Sequence, residues 1–483
     1  MRRASIPAVA LTLYDTKTRS AKPFDPVTPG HAGLYFCGPT VYSEPHLGHA
    51  RGPVVFDVLR NWLEHAGYRV RLVSNVTDVG HLTDDADEGE DKLAARAALE
   101  RLEPMEVAEK YFWAYFDAMA KLNVRRPSVV PRATGHIPEQ IALVEQLLDA
   151  GLAYERNGNV YFDVSAWDDY GELSGRDPDA LVEGTRVEVR GDKDDPRDFA
   201  LWKRAEEGHL MRWDSPWGEG FPGWHLECSV MSTKYLGEEF DVHGGGLDLV
   251  FPHHECELAQ ARGAGMPFAR IWIHWNMLTL GGEKMSKSKG HFVTLAGLFE
   301  HHEPAVVRFH LLRSHYRSVS DFSEDLLVAS RQALGRLRDA WRALRARAGD
   351  VEREPGFADE ARRTFAEAMD DDLGTPRAIA ALFELAREAN RRMDALTPAE
   401  AADGADAFAS LLEGVLGVEL GEAEANGAAA LERLEGLVEM VLEQREAARL
   451  RRDFATADAL RDQLHGLGIE VEDTPAGPRV KLR

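Results

Sequence analysis

The chain has 483 residues and a formal net charge of −24 at pH 7, with 44% hydrophobic and 29% charged residues. This length exceeds what one hydrophobic core serves and predicts about three to five domains. The acidic charge argues against a protein that coats nucleic acid non-specifically, and no apolar run reaches the length of about 18 residues that a membrane span needs.

The N-terminus and the cysteine content both favour a cytoplasmic protein. Residues 9–13 alternate like a first strand, and the short apolar stretch has no clear signal-peptide cleavage site. An odd number of cysteines cannot build a disulfide framework, which fits a reducing compartment. The three cysteines are Cys37, Cys228 and Cys256.

The first recognisable unit is a strand, a helix and a second strand. A short buried strand over 34–37 ends at a Gly-Pro turn, and a helix follows with Gly67 as its C-terminal cap. The segment "YRVRLVSNVTD" reads as the next strand. A βαβ unit of this length implies a parallel sheet, whose ligands bind beyond the carboxyl ends of the strands. Cys37, the pair His46 and His49, and Thr77 fall at those ends.

The remaining segments change character along the chain. A long helical pattern runs over 92–122, and residues 131–210 read as an insertion with a helix at 139–150 and a hairpin turned at Asn157-Gly158. Strand, loop and helix patterns return near residue 240. Leucines at helical spacing then predict a bundle, residues 421–430 have linker composition, and a terminal unit begins with a helix and ends in a hairpin.

The segment "HLGH" places His46 and His49 three residues apart at the start of the predicted helix. A helix start presents unpaired N–H groups and partial positive charge, which suits phosphate. Gly48 allows a flat base or a ribose to approach the backbone closely. The alternative is an ordinary helix start with surface histidines.

The lysine segment, residues 284–289, reads "KMSKSK" and holds three of the 12 lysines in the chain. Ammonium and hydroxyl groups flanked by glycines can close over a triphosphate and stabilise its developing charge. The alternative is a solvated loop.

Cysteine and histidine recur in segments that are far apart in the sequence. "FPHHECELA" brings His253, Cys256 and Glu257 to one region, and Cys37 and Cys228 lie in glycine-rich or histidine-rich turns. Thiolate with imidazole suits zinc. Spacing alone leaves the fourth ligand open between Cys256 and Glu257, and buried cysteines with structural histidines remain the alternative.

Taken together, these motifs resemble those of class I aminoacyl-tRNA synthetases. "HLGH" is similar to the HIGH motif of that class, with Leu47 in place of isoleucine, and "KMSKS" matches its second signature. Within the class, "FCGPTVYSEPHLGHAR", "PGWHLECSVM", "DVHGGGLDLVFPHHECELAQ" and "MDDDLGTPRAIAALFELAREAN" resemble the cysteinyl-tRNA synthetase family. The resemblance covers nearly the whole chain.

The resemblance implies an α/β fold, with a Rossmann-like parallel-sheet catalytic domain that carries an insertion, then an α-helical bundle and a small C-terminal α+β domain. The expected domains are the catalytic halves 1–130 and 211–270, the connective insertion 131–210, the lysine-segment and stem-contact region 271–320, the bundle 321–420, the linker 421–430 and the anticodon-binding domain 431–483.

The same resemblance implies the reaction and its participants. We expect ATP-dependent activation of L-cysteine to cysteinyl-adenylate, with Mg²⁺ on the ATP, and transfer to the 3′-terminal ribose of tRNA(Cys) by a monomer. One Zn²⁺ would select the cysteine thiolate over serine, because a hydrophobic pocket separates such near-isosteres by only about 1–3 kcal/mol. The family's zinc ligands fall on Cys37, Cys228, His253 and Glu257, which leaves the role of Cys256 open.

Other family positions are carried over in the same way. The amino-acid pocket maps to Thr77, Trp224 and His243, and the catalytic groups map to His46, His49, Lys284 and Lys287. The ATP-binding residues that the two signatures imply are Pro39, Thr40, His46, Gly48, His49, Lys284, Met285, Ser286, Lys287 and Ser288.

Two features concern RNA and the alternatives. Arginines repeat along predicted helical faces, and in the family context they lie near RNA backbone, although solvated faces are the simpler interpretation. The two rows are Arg338, Arg342 and Arg345, and Arg445, Arg449 and Arg452. The competing functions are a cysteine ligase acting on an amino-sugar, as in mycothiol synthesis, and a non-catalytic zinc- and RNA-binding paralogue. The acidic segment 80–91 is expected to be a solvated loop.

Overall fold

The computed structural model describes residues 11–82, 92–177, 192–284, 293–421, 427–466, 469–474 and 477–482. Its contacts divide the chain into two units, Met1–Glu419 and Leu420–Arg483. Each unit is described by itself.

The strands of the first unit are short and mostly parallel near the site. In chain order they are β1 (Thr12–Asp15), β2 (Ser20–Pro23), β3 (His31–Phe36), β4 (Arg69–Ser74), β5 (Ala153–Arg156), β6 (Asn159–Phe162), β7 (Phe199–Arg204), β8 (Gly220–Pro222), β9 (Glu239–Gly246), β10 (Phe268–Trp275), β11 (Leu278–Leu280), β12 (Glu283–Lys284) and β13 (Ser320–Phe322).

The helices of this unit connect the strands and then form a bundle. In chain order they are α1 (Leu47–His65), α2 (Lys92–Glu100), α3 (Pro104–Lys121), α4 (Ile137–Asp149), α5 (Leu226–Leu236), α6 (Glu255–Gly263), α7 (Leu295–His301), α8 (Pro304–Leu312), α9 (Glu324–Ala348), α10 (Asp359–Asp370), α11 (Thr375–Arg392) and α12 (Pro398–Phe408).

The central sheet has the strand order β10-β9-β3-β4, and all of its pairs are parallel. The predicted βαβ unit is confirmed, because β3 and β4 pair in parallel across the connection that contains α1. Tyr35, Val73 and Trp272 are fully buried in the core beneath the sheet. The carboxyl ends of β3 and β9 therefore open side by side, which is where this topology places a ligand.

The single helix predicted over 92–122 is wrong, because the chain forms α2 and α3 there. Arg101 adopts a positive φ of 58°, and Pro104 occupies the first turn of α3. A proline lacks the N–H that a continuous helix needs, but it fits a helix start. The interruption could have been read from the sequence.

The connective region contains an antiparallel sheet with the order β5-β6-β7-β8. The predicted hairpin between β5 and β6 is confirmed, and its turn residues Asn157 and Gly158 have positive φ angles of 53° and 86°. Those angles are what a two-residue turn between twisted strands requires.

A small sheet and the helical bundle complete the first unit. Strand β11 lies between β12 and β13 and pairs in parallel with β13. In the bundle, helix α9 buries Leu327, Leu334 and Leu344 completely, as its leucine spacing predicts. Within the described ranges, no helix combines the length and apolar character that a membrane crossing requires.

The first arginine row is a solvated face only in part, because Arg342 and Arg345 are exposed whereas Arg338 is buried. Arg338 is only 6% exposed, and its guanidinium binds the carboxylate of Glu303 at 2.6 Å and the carbonyl of Glu419 at 2.7 Å. Arg342 pairs with Asp339, whereas Arg345 lies over the ring of Trp341. Arg338 thus ties α9 to its neighbours, which helical periodicity alone does not reveal.

The second unit contains α13 (Gly427–Leu450), α14 (Phe454–Gly466), and the antiparallel strands β14 (Ile469–Thr474) and β15 (Gly477–Leu482). Val438, Leu464 and Ile469 form its small core. The predicted helix and terminal hairpin are confirmed. Helix α13 starts inside the stretch predicted as linker, and Arg452 lies beyond its end with a positive φ of 62°. The second arginine row is therefore not one continuous helical face.

Candidate metal centre and nucleotide cleft

Four side chains from three distant segments meet at the carboxyl edge of the central sheet. Cys37 follows the end of β3, Cys228 lies in the first turn of α5, His253 lies in the turns that precede α6, and Glu257 lies in α6. One possible ligand atom from each of these residues falls within 4.8 Å of the others. The sheet topology brings Cys37 to this point, because β3 and β9 end together.

The distances within this cluster suit a tetrahedral metal ion. The Sγ atoms of Cys37 and Cys228 are 3.5 Å apart, and Cys37 Sγ lies 3.6 Å from Glu257 Oε1. His253 Nε2 is 3.0 Å from the same oxygen. In a zinc site with bonds of about 2.0–2.3 Å, ligand atoms are about 3.3–3.8 Å apart. The residues present therefore fit a zinc ion with little movement.

The structure separates the two candidates for the fourth ligand. The carboxylate of Glu257 belongs to the cluster, whereas Cys256 Sγ lies 3.4 Å from the hydroxyl of Tyr170 in the adjoining hydrophobic core. Consecutive residues of a helix point in different directions. Glu257 is thus the residue that geometry favours.

A second combination of residues also fulfils the distance criterion, with His243 and His254 joining Cys37 and Glu257. His254 Nε2 lies 3.2 Å from Cys37 Sγ, and its Nδ1 lies 2.7 Å from Nε2 of His274. His254 and His243 were not predicted as ligands. Both imidazoles line the inner side of the cluster.

The predicted ligands are held by further buried side chains. His225 Nδ1 is 2.9 Å from His253 Nδ1, so Nε2 of His253 is the nitrogen that faces the cluster. His243 Nε2 is 2.7 Å from Glu257 Oε2 and stacks on Trp272 at a centroid distance of 4.4 Å. Partners of this kind fix the orientation of a ligand and tune its basicity.

The cluster carries charge even without a metal ion. Burial raises the pKa of Glu257, but its electrostatic interactions and hydrogen bonds with His243 and His253 outweigh burial and hold this pKa well below its usual range. Burial lowers the pKa of His253, but the charge of Glu257 and a hydrogen bond with Cys228 raise it to about 10. Burial also raises the pKa of Cys228, but hydrogen bonds with Cys37 and His253 lower it to about 7. A binding metal ion would displace the proton from His253.

The metal cluster opens into a cleft of about 470 Å³. A cleft of this size accommodates a small ligand. The predicted site residues that line it are Cys37, Pro39, Thr40, His46, Gly48, His49, Thr77, Trp224, Cys228 and His253.

The HLGH segment forms the start of α1, as predicted. His46 is the residue that precedes the first turn, and its backbone N–H donates to Nδ1 of His49 at 3.2 Å. The two imidazole rings stack with centroids 3.6 Å apart. The helix start and both rings thus face the cleft, where an anion would be favoured.

The lysine segment lies largely outside the described residues. Lys284 belongs to strand β12, and the predicted ATP contacts Met285, Ser286, Lys287 and Ser288 fall outside the described ranges.

Comparisons with known proteins decide the family. Residues 23–332 match the model of the class I tRNA synthetase (C) catalytic domain, 364–421 match the DALR domain, and 432–479 match the cysteinyl-tRNA ligase anticodon-binding domain. The chain belongs to the cysteinyl-tRNA ligase family. Cysteine–tRNA ligases of Thermus thermophilus and Deinococcus radiodurans are each 54% identical, over 98% of this chain and 100% and 96% of their own lengths.

Solved structures support the fold of this cysteinyl-tRNA ligase family member. The methionyl-tRNA synthetase of Mycobacterium tuberculosis with methionyl-adenylate has a TM-score of 0.60 at 17% identity, over 81% of this chain and 92% of that one. The LeuRS–tRNA–LeuAMS complex of Agrobacterium radiobacter K84 has a TM-score of 0.60 at 12% identity, over 82% and 85%. The predicted Rossmann-like fold with a helical C-terminal region is confirmed.

The three positions expected to bind the amino acid differ in their surroundings. Trp224 lines the cleft and stacks on His253 with centroids 4.3 Å apart. Thr77 lines the cleft and donates its hydroxyl to Glu227 Oε2 at 2.8 Å. His243 is completely buried behind Glu257. Geometry therefore gives His243 a supporting position and leaves Trp224 and Thr77 on the cleft wall.

Sequence reasoning missed Glu227, a buried carboxyl beside the cluster. Burial, and then the charge of Cys228, raise its pKa well above the ordinary value. Its Oε2 also accepts from Nδ2 of Asn75 at 3.2 Å. Its position directly before Cys228 was the available signal.

Sequence reasoning also missed a polar chain on the cleft wall. His81 Nε2 is 2.8 Å from the ammonium of Lys92, and His81 Nδ1 is 2.6 Å from Thr40 Oγ1. A lysine ammonium only donates, so the neutral His81 ring donates through Nδ1 to Thr40. His81 also stacks on Trp224 at 4.0 Å. His81 belongs to the acidic segment 80–91, and Lys92 directly follows it. Residues 80–82 are buried, so this part of the segment is not the solvated loop that we expected, and residues 83–91 fall outside the described ranges.

Proposed function

We propose that this protein is a cysteine–tRNA ligase, which activates L-cysteine with ATP and transfers the cysteinyl group to the 3′-terminal ribose of tRNA(Cys). One observation carries the proposal: a Cys/Cys/His/Glu cluster, buried except for the half-buried Cys37, opens into the same cleft as the helix start that carries HLGH. Such a cleft holds the thiol of the amino acid and the phosphates of ATP beside each other. The curated relatives and the matched anticodon-binding domain support this function.

The metal at this centre is proposed to be one Zn²⁺, held by Cys37, Cys228, His253 and Glu257. Two sulfur ligands with imidazole and carboxylate match the ligand preferences of zinc. When bound, zinc supplies a soft Lewis acid that favours a thiolate over a neutral hydroxyl. The protein's own part is to present the ligands preformed, through His225 behind His253 and through the other buried histidines of the cluster.

The phosphates of ATP are proposed to lie against the start of α1. Adenylate formation joins a carboxylate oxygen of cysteine to the α-phosphorus and releases pyrophosphate, so the transition state gathers negative charge on phosphate oxygens. His46 and His49 face that charge from the helix start, Gly48 permits close approach, and Lys284 and Lys287 supply ammonium groups. Pro39, Thr40, Met285, Ser286 and Ser288 complete the proposed contacts, and Mg²⁺ accompanies ATP.

The amino-acid pocket is proposed to consist of Thr77, Trp224 and His243, beside the metal. The flat face of Trp224 covers His253, which places an aromatic wall next to the ligand set. His243 acts on the pocket through its hydrogen bond to Glu257. This arrangement orients the thiol toward the cluster and the carboxylate toward the HLGH helix.

The domain assignment also stays a proposal. The catalytic halves 1–130 and 211–270, the insertion 131–210, the region 271–320, the bundle 321–420, the linker 421–430 and the anticodon-binding domain 431–483 are the proposed boundaries. We further propose a cytoplasmic monomer that binds tRNA through the last of these domains.

The test is ATP–pyrophosphate exchange followed by transfer to tRNA. The purified full-length chain should exchange labelled pyrophosphate into ATP when cysteine is present and show no exchange with serine. It should also transfer cysteine to tRNA(Cys). No exchange with cysteine would refute the enzymatic proposal. Exchange without transfer to tRNA, together with transfer to an amino-sugar, would instead indicate the sugar ligase.

A further inference from the structure

Arg51 lies two residues after the HLGH segment, in the wall of the cleft. It is only 2% exposed, although it carries a guanidinium. Its Nη2 donates to the carbonyls of His315 at 3.0 Å, Tyr316 at 3.3 Å and Ser318 at 2.6 Å. Its Nη1 donates to the carbonyl of Met277 at 3.3 Å. One side chain of α1 thus holds two backbone segments.

This arrangement is costly, so stability alone does not account for it. In the part of the chain that the structure describes, no carboxylate is hydrogen-bonded to Arg51, and burial lowers its pKa to about 10. A buried cation without a counter-ion loses several kcal/mol of hydration. Arg308 differs, because this equally buried arginine has the carboxylate of Asp57 at 2.7 Å in addition to three carbonyls.

The carbonyls that accept hydrogen bonds from Arg51 lie just before strands β11 and β13. The lysine segment leaves the same small sheet at the end of its third strand, β12. Met277 directly precedes β11, which pairs with β12, and β12 ends at Lys284. Ser318 precedes β13 by two residues, and β13 pairs with β11. Arg51 therefore binds the backbone immediately before β11 and β13, and it sets the position of the β11–β12 turn relative to α1.

The other end of the same segment is attached to the same helix start. The backbone N–H of Leu47 donates to the carbonyl of Val293 at 3.1 Å, and the N–H of Leu295 donates to the carbonyl of Pro45 at 2.9 Å. Both described flanks of residues 285–292 are thus hydrogen-bonded to residues 45–51. Described residues on both sides of the lysine segment are therefore attached to the beginning of α1.

We propose that Arg51 is a positioning residue for adenylate formation, which fixes the strands that carry the lysine segment at a set distance from His46 and His49. The inference rests on the proposed function. The phosphates must meet imidazoles from one motif and ammonium groups from the other at the same moment. A misplacement of about 1 Å in such an arrangement costs about a hundredfold in rate.

The test compares R51K with a matched buried arginine variant, R308K. Lysine keeps the positive charge but cannot reach four carbonyls from one planar group. We expect R51K to lower kcat of ATP–pyrophosphate exchange by about ten- to a hundredfold, with the metal content and the KM for cysteine unchanged. R308K should keep kcat within about threefold of the parent chain, because it lies outside the cleft, although it also loses buried hydrogen bonds.

A double-mutant cycle with K287A separates positioning from general damage. If Arg51 acts through the lysine segment, R51K should cost less than about twofold in the K287A background, because the group it positions is already gone. Where R51K is recovered unfolded, R51Q takes its place in the same cycle. Equal losses in both backgrounds, or a kcat of R51K within about threefold of the parent, would overturn the inference. Failure of the parent chain to exchange would refute the proposed function instead.

Discussion

Replacing Gly38 by alanine is expected to disable the site while leaving the rest of the fold in place. Gly38 follows Cys37 on the cleft wall, and its N–H donates to Asn75 Oδ1 at 2.8 Å. A Cβ at this position would lie 1.7 Å from the carbonyl oxygen of Asn75, whereas real Cβ contacts below 3.0 Å are essentially never seen. The two segments must therefore separate by about 1.3 Å.

This separation would reach both sides of the proposed pocket. Cys37 adjoins Gly38, and Thr77 is two residues beyond Asn75. The N–H of Thr77 donates to the carbonyl of Pro39 at 3.1 Å, so the two segments are joined along the cleft wall. A displacement of about an ångström at either one costs about a hundredfold in kcat/KM. The overpacked contact adds about 1–3 kcal/mol of destabilisation.

The control is G335A in helix α9. An added Cβ at Gly335 has no atom within 4 Å, so the substitution should leave kcat/KM unchanged and stabilise the helix by up to about 1 kcal/mol. ATP–pyrophosphate exchange with cysteine, metal content and circular dichroism would be measured on both variants. A folded G38A protein with kcat/KM within about tenfold of the parent would refute the steric reasoning.

Three further outcomes are expected. The affinity of the metal-free protein for zinc should rise from about pH 6 to about pH 8. The reason is that Cys228, with a pKa of about 7, must lose its proton to bind the metal, and His253 must release one at any pH below about 10. Calorimetry in buffers of different ionisation enthalpy should show this proton release, and a pH-independent affinity would contradict the prediction. E257Q keeps the shape of Glu257 but removes its charge, so metal affinity should fall by at least about a hundredfold, measured by competition with a chelator; full metal retention would exclude Glu257 as a ligand. R338A should lower the denaturation midpoint through loss of the ion pair with Glu303, while the salt dependence of tRNA binding stays the same. If tRNA affinity depended less steeply on salt concentration in R338A, Arg338 would instead contact RNA.

Local features of this fold could be read from the sequence because they depend on neighbouring residues. The β3–α1–β4 unit follows from hydrophobic spacing, and the Asn157-Gly158 turn follows from the tolerance of these two residues for positive φ. The break before Pro104 was equally local, and it was missed because the helical period continues across it.

What only the tertiary structure decided concerns residues that meet across long stretches of chain. The sequence supplied the candidate ligands Cys37, Cys228 and His253, but left the choice between Cys256 and Glu257 to family resemblance. The parallel sheet brings these segments to one edge, and the direction of each side chain from α6 selects Glu257.

The same limit explains the burial of Arg338 and the roles of His81 and Arg51. Charge and periodicity describe one element at a time, so they predict a solvated arginine face where a neighbouring segment supplies Glu303. A polar group's partners are set by which elements pack together, because hydrogen bonds act over about 3 Å whereas the partners lie tens to hundreds of residues apart. Sequence therefore determined the chemistry that is available, and packing determined which groups share a site.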